Sequence, residues 1–266
     1  MAIEPDNLYN GNCLELMSGI ADESCDMILC DLPYGVLNKG NVGAKWDSVL
    51  PFDELWLHYE RVIKPNGAVV LFGQGMFTAR LMMSNARLWR YNLIWCKGNG
   101  VTGFLNANRM PMRNHEDICV FYKRLCKYNP QYTKGEKNHA RGGAGNGYKA
   151  SGNAQNRCYG DFKNTPTTFT TNKYPKSVIY FGKQKNFYHP TEKPVDLLRW
   201  LIRTYTDEGD VVLDNTMGSG STCVACALES RHYIGIEKEK KYYDIACERV
   251  KRTIQELDND LFRNIS

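Results

Sequence analysis

"GDVVLDNTMGSGSTCVACAL", residues 209–228, runs from an apolar stretch to a carboxylate, then to a turn with two glycines, then to a run of small residues. "VVLD" reads as a buried strand ending at Asp214, Gly218 and Gly220 form the turn, and the small residues open a helix. Glycines let the backbone approach a ligand closely, and a helix N-terminus turns free N–H groups toward an anion.

Around this unit the chain alternates strands and helices. Continuous apolar runs predict strands at 26–31, 67–73, 91–97, 117–123, 211–214 and 233–237, as expected where both faces of a sheet are covered. Helices are predicted near 52–63, 76–86, 194–205, 220–230 and 239–257, the last with an apolar face through Tyr243, Ala246, Val250 and Ile254. The fold class is α/β: a doubly wound, mostly parallel, Rossmann-like sheet, interrupted once.

Three ligands compete for the glycine turn. A phosphate-binding loop needs a lysine before its Ser/Thr, and "GSGST" has none. A dinucleotide fingerprint needs a third small position, where Cys223 stands. S-adenosyl-L-methionine fits best: Glu237 closes the next strand, where a carboxylate can accept both ribose hydroxyls, and the turn suits an amino-acid end. A tight strand-to-helix connection is the plain alternative.

A second strand end repeats the pattern. "ILCDLPYGV", residues 28–36, stops an apolar run with an acid, a proline and an aromatic ring. "AKWDS" at 44–48 reads either as part of a pocket wall or as a tryptophan capping the core. The link from Gly98 to His115 joins a hairpin and carries Arg109 and Arg113, either of which can touch phosphate. His115 and Glu116 read either as an acid/base pair or as structural residues, and a satisfied structural histidine is the preferred reading.

Charge separates one segment from the rest. Between Leu125 and Tyr188 eleven lysines and arginines face two acids, a net +9, so the remainder carries −4 of the total +5. The same stretch holds "ARGGAGNGYKASGNAQ" and several aromatic residues, a composition suited to a phosphate-rich partner. Arg141, Lys149 and Arg157 are its candidate nucleic-acid contacts. Ten cysteines without an export signal suit a reducing compartment. No apolar run approaches a membrane span, and a cytoplasmic location is expected. Cys223 and Cys226 lack a second pair with zinc spacing, so no metal is expected.

"DLPY" at 31–34, "HPTEKP" at 189–194 and "DNTMGSGST" at 214–222 resemble the catalytic, cofactor-flanking and cofactor-loop motifs of amino-group DNA methyltransferases. Their order resembles the beta class, and short phage or prophage enzymes are similar. The resemblance spans nearly the whole chain and implies a catalytic domain at 1–125 and 188–266, with a target-recognition insertion at 126–187. It implies methyl transfer from S-adenosyl-L-methionine to the N6 amine of a flipped-out adenine in double-stranded DNA. Alternatives are N4-cytosine methylation, or a catalytically silent DNA-binding protein on this fold.

The roles carried over are a clamp of the Asp31 carboxylate and the Pro33 carbonyl on the amine, with Tyr34 stacking on the base. Asn12, Cys13, Asp31, Thr191, Lys193, Asp214, Met217, Gly218, Ser219, Gly220 and Glu237 would surround the cofactor. Thr191 and Lys193 are the candidates for its carboxylate. Departures from the pattern are Leu32 in place of a first proline, Asn215 and Thr216 in place of Pro-Phe, Glu192 where Gln is common, and Asn12 where Asp is usual. Similar enzymes are often dimers, and any DNA cutting would need a separate endonuclease.

Overall fold

The computed structural model describes residues 1–35, 47–136, 171–182, 188 and 192–265. Arg141, Lys149, Arg157, Thr191 and the tryptophan of "AKWDS" lie outside them. Two compact units are formed, one by Met1–Asn129 with Lys176–Ser266 and the other by Pro130–Pro175.

The larger unit is built on an eight-stranded sheet. Its strands are β1 (Asn7–Asn10), β2 (Cys25–Cys30), β3 (Ile63–Gly73), β4 (Trp89–Cys96), β5 (His115–Phe121), β8 (Val178–Tyr180), β9 (Val211–Asp214) and β10 (His232–Glu237). Their spatial order is β1-β10-β9-β2-β3-β5-β4-β8. Only β5 runs against its neighbours, because a hairpin joins it to β4. All six residues of β2 are buried, as a central strand of a doubly covered sheet requires.

Among the described residues six helices cover this sheet: α1 (Cys13–Met17), α2 (Phe52–Val62), α3 (Met76–Ser84), α4 (Val195–Tyr205), α5 (Ser221–Leu228) and α6 (Lys240–Ile265). Successive side chains of a strand point to opposite faces, and β2 divides accordingly. Met27 and Leu29 belong to the core that includes Leu201 of α4, Cys223 of α5 and Val250 of α6. Ile28 and Cys30 belong to the core that includes Met17 of α1, Tyr59 of α2 and Leu81 of α3.

The sequence pattern found every major strand and missed β1, α1 and β8. These are short, and "NLYN" and "VIY" give too few residues for a period to show. In the smaller unit β6 (Thr133–Lys134) pairs antiparallel with β7 (Asn172–Lys173), and Tyr132 meets Tyr174 edge-on at 4.9 Å.

From β2 the chain moves to β3 on one side, and from β9 to β10 on the other. The carboxyl ends of the adjacent strands β2 and β9 therefore flank a topological switch point, where open α/β sheets bind ligands. Among the described residues no helix is long and apolar enough to cross a membrane.

Candidate active site

A cavity of about 800 Å³ opens at that switch point. Asp31 follows β2, Asp214 ends β9, Glu237 ends β10 and Asn12 follows β1, so four parallel strands each deliver a polar side chain to its wall. The volume lies within the range of about 300–1,000 Å³ common for small-molecule sites.

At one end charges pair with charges. Lys193 Nζ donates to Asp31 Oδ2 and stands 3.3 Å from Glu116 Oε2, which lies outside hydrogen-bonding geometry. Lys97, at the end of β4, donates to Glu116 Oε1. The Tyr34 hydroxyl donates to Asp31 Oδ1 at 2.9 Å, and its ring stacks on Phe77 with centroids 4.6 Å apart. Asp47 Oδ1 accepts the Gly35 N–H at 2.9 Å, which fixes the turn after the clamp residues.

Burial raises the Asp31 carboxyl above the ordinary range; Lys193 pulls it down and Glu116 pushes it further up. Burial also opposes the charge on Glu116, but Lys193 and Lys97 outweigh it and hold that carboxyl low. For Lys193 burial favours the neutral amine, yet Asp31 and Glu116 prevail and the ammonium is held. Burial, then the Asp31 charge, keep Tyr34 neutral and therefore a donor. A carboxylate offers about four lone-pair sites, so Asp31 retains acceptor capacity beyond these two donors.

At the other end carboxylates are held mostly by fixed dipoles. Glu237 Oε2 accepts the Gly218 N–H at 2.9 Å, and Oε1 accepts the Glu239 N–H at 2.7 Å. Burial still raises its carboxyl, with the backbone bonds acting against the rise. Gly218 has φ 54° and Gly220 φ 79°, and a Cβ on Gly220 would come 2.8 Å from the Ala246 Cβ. The turn thus needs glycine both for its backbone and for the packing of α6.

Behind the turn, Arg249 of α6 donates to Glu192 Oε1 at 2.9 Å, to the Ser219 carbonyl at 2.8 Å and to Ser219 Oγ at 2.9 Å. Ser219 Oγ and the Tyr188 N–H donate to Glu192 Oε2 at 3.1 and 2.8 Å. Glu192 in place of glutamine is therefore a buried ion-pair partner that ties the segment before α4 to the turn. Two other departures, Thr216 and Asn215, also have partners. Thr216 Oγ1 donates to the Asp31 carbonyl at 3.2 Å, and Asn215 Oδ1 accepts from Tyr59 Oη at 2.6 Å and Cys30 Sγ at 2.8 Å. Burial pushes Asp214 up to about 7.

Of the residues expected from sequence, Asp31, Pro33, Tyr34, Asn12, Cys13, Lys193, Asp214, Met217, Gly218, Ser219 and Glu237 border this one cavity. Gly220 instead caps α5. Asn12 caps α1, its Oδ1 accepting the Leu14 N–H at 3.1 Å, which leaves one lone pair for a ligand. Lys193, a candidate for the cofactor's carboxylate, lies on the cavity wall with its ammonium paired to Asp31 and Glu116, as a buried charge needs a counter-charge. Arg113 borders a smaller cavity of about 250 Å³ and donates to Gln74 Oε1 at 3.0 Å, and both it and Arg109 are exposed.

Sequence reading passed over Lys97 and Arg249 and took Glu116 as structural. The usable signal was a charged residue at the edge of an apolar strand, as in "LIWCK", the same feature that marks Asp31.

Fold and site together define an α/β protein of the doubly wound class with one large, polar-edged cavity at its switch point. Residues 25–248 match the N6/N4 methyltransferase family model, described as DNA methylase, and the chain belongs to that family. Its members take the methyl group from S-adenosyl-L-methionine. The chain is 28% identical to the type II methyltransferase M2.MboI of Moraxella bovis, over 97% of this chain and 92% of that protein. It is 29% identical to the type II methyltransferase M.HinfI of Haemophilus influenzae, over 96% of this chain and 70% of that one.

Among solved structures, the M1.HpyAVI–SAM complex superposes with a TM-score of 0.60 at 22% identity, covering 92% of this chain and 98% of that one. The cytosine-N4-specific PvuII DNA methyltransferase gives 0.61 at 16% identity, covering 97% and 94%. Both show the shared fold.

Proposed function

We propose that this DNA methylase modifies the N6 amine of adenine at a specific site in duplex DNA. The observation that carries the reading is the joining of Asp31 and Pro33 with the Gly218 turn and Glu237 in a single cavity. A methyl donor and an acceptor amine can meet there without either leaving its recognition groups.

The amine of adenine is a poor nucleophile because its lone pair is delocalised into the ring. The Asp31 carboxylate and the Pro33 carbonyl each accept one N–H, which turns the lone pair toward the methyl group. S-adenosyl-L-methionine, when bound, supplies an electrophilic methyl. Glu237 would accept from its ribose with the lone pairs that Gly218 and Glu239 leave free, and Asn12 and Cys13 would help hold its adenine. Asp31, raised by burial, is suited to receive the proton that the amine sheds. As Asp31 engages the amine, Glu116 offers Lys193 a second carboxylate.

Aspartate at the head of the clamp favours adenine, since similar cytosine-N4 enzymes more often carry serine. The 126–187 segment, which carries the whole of the +9 charge, is proposed to carry target recognition. Expression in a host without DNA methylation, followed by nucleoside mass spectrometry and sequencing of modified bases, tests the reading. N6-methyldeoxyadenosine at one repeated sequence is expected. N4-methyldeoxycytidine would move the target to cytosine, and neither product would overturn the reading.

A further inference from the structure

The link between β4 and β5 leaves the sheet after Cys96 and returns at His115, and the flanking Lys97 and Glu116 are both on the cavity wall. Thr102 borders the main cavity and the smaller one beside it, so the link stands at the mouth. Its base is closed by a two-way backbone bridge, Thr102 N–H to Arg113 O at 2.8 Å and Arg113 N–H to Thr102 O at 3.0 Å. Beyond the bridge Gly103, at φ 83°, turns the chain into a 3-10 turn over Phe104–Asn106. The Asn106, Ala107 and Arg109 N–H groups are each bonded back into it at 2.8–3.1 Å. The tip has a fixed shape.

Its surface is the reverse of what a solvated turn selects. Phe104 is 72% exposed and Leu105 85% exposed, and Val101, Met110 and Met112 are exposed beside them. From Gly98 to Asn114 there is no acid, and Arg109 and Arg113 carry the only charges. Apolar tips flanked by arginines complement one partner surface well: phosphates outside, with stacked bases within. Removing a base from a duplex also leaves a gap in the stack, which a flat or branched apolar side chain can fill.

We propose that Phe104 and Leu105 form a wedge that enters the DNA stack and occupies the space vacated by the target base, with Arg109 and Arg113 on the adjoining phosphates. The inference rests on the methyltransferase reading of the neighbouring cavity and assigns this surface to double-stranded DNA.

Both side chains are exposed, so their replacement leaves the core untouched. The probe is a duplex oligonucleotide carrying the methylated sequence read from the expression host, with the target base either paired or mismatched. Phe104→Ala/Leu105→Ala should slow single-turnover methylation of the paired duplex by about tenfold or more, while the mismatched duplex, whose base leaves the stack more easily, recovers most of the rate. Phe104→Leu/Leu105→Met, which stays apolar, should retain most of the paired rate. Phe104→Lys/Leu105→Lys should behave like the alanine pair.

Equal losses on both duplexes would overturn the wedge, as would full activity of the lysine pair, which would point to phosphate contact alone. A change from dimer to monomer on alanine substitution would reassign the surface to a second copy of this chain. A wild-type chain that methylates no DNA would remove the site reading itself, a result distinct from any of these.

Discussion

The two ends of the cavity both bury carboxylates, and they neutralise them differently. Asp31 and Glu116 share Lys193, with Lys97 beyond, so four side chains form a chain of alternating charge. Glu237 rests on two backbone N–H groups, and behind it Arg249 holds Glu192 and Ser219 together. A backbone amide has one direction and cannot change partner. An ammonium between two carboxylates can move from one to the other at small cost. The Asp31 end can therefore exchange partners, as the proposed entry of a base would require, and the Glu237 end keeps its shape.

The largest way to break the contrast is at Arg249. Arg249→Met strands the buried Glu192 charge and should cost about 3–5 kcal/mol of stability, read from denaturant unfolding. A cost below about 1 kcal/mol, the range of surface pairs, would show that this end is not held as described.

Asp31→Ala should lower turnover by about 10²–10³-fold, because the lost interaction matters chiefly in the transition state. Cofactor affinity by calorimetry should change little. Near-normal turnover would remove Asp31 from the chemistry.

Glu237→Ala should weaken S-adenosyl-L-methionine binding by about 1–3 kcal/mol and change turnover at saturation much less. Unchanged affinity would place the ribose elsewhere.

The finest test is the acid limb of kcat/KM. Asp31 must be ionised to accept the amine, and burial raises its pKa, so activity should fall with acid above the ordinary carboxylate range. Lys193→Met removes the charge that lowers Asp31 and should move this limb to higher pH. Glu116→Gln removes a charge that raises Asp31 and should move it to lower pH. Shifts in the same direction would contradict the shared-lysine arrangement.

Much of this was legible along the chain. Apolar runs ending in Asp31, Asp214 and Glu237 announced buried strands with carboxylates at their carboxyl ends, and the Gly218–Gly220 turn announced a close backbone approach. Those signals are local, since strand length, side-chain period and turn conformation are set by residues a few positions apart. The basic composition of 126–187 is equally local, and so is the expectation of a phosphate-rich partner.

What surrounds the carboxylates was not legible. Lys193 lies 162 residues from the aspartate it binds, and Arg249 lies 57 from Glu192. Glu116 looked structural beside His115 until the hairpin brought it next to Lys97 and Lys193. The exposed tip at Phe104 and Leu105 carries no period at all, and its meaning comes from standing beside the cavity. The sequence determined which strand ends carry charge. Only the tertiary structure decided what compensates each one, because burial demands a counter-charge or a fixed dipole and no local pattern says from which part of the chain it comes.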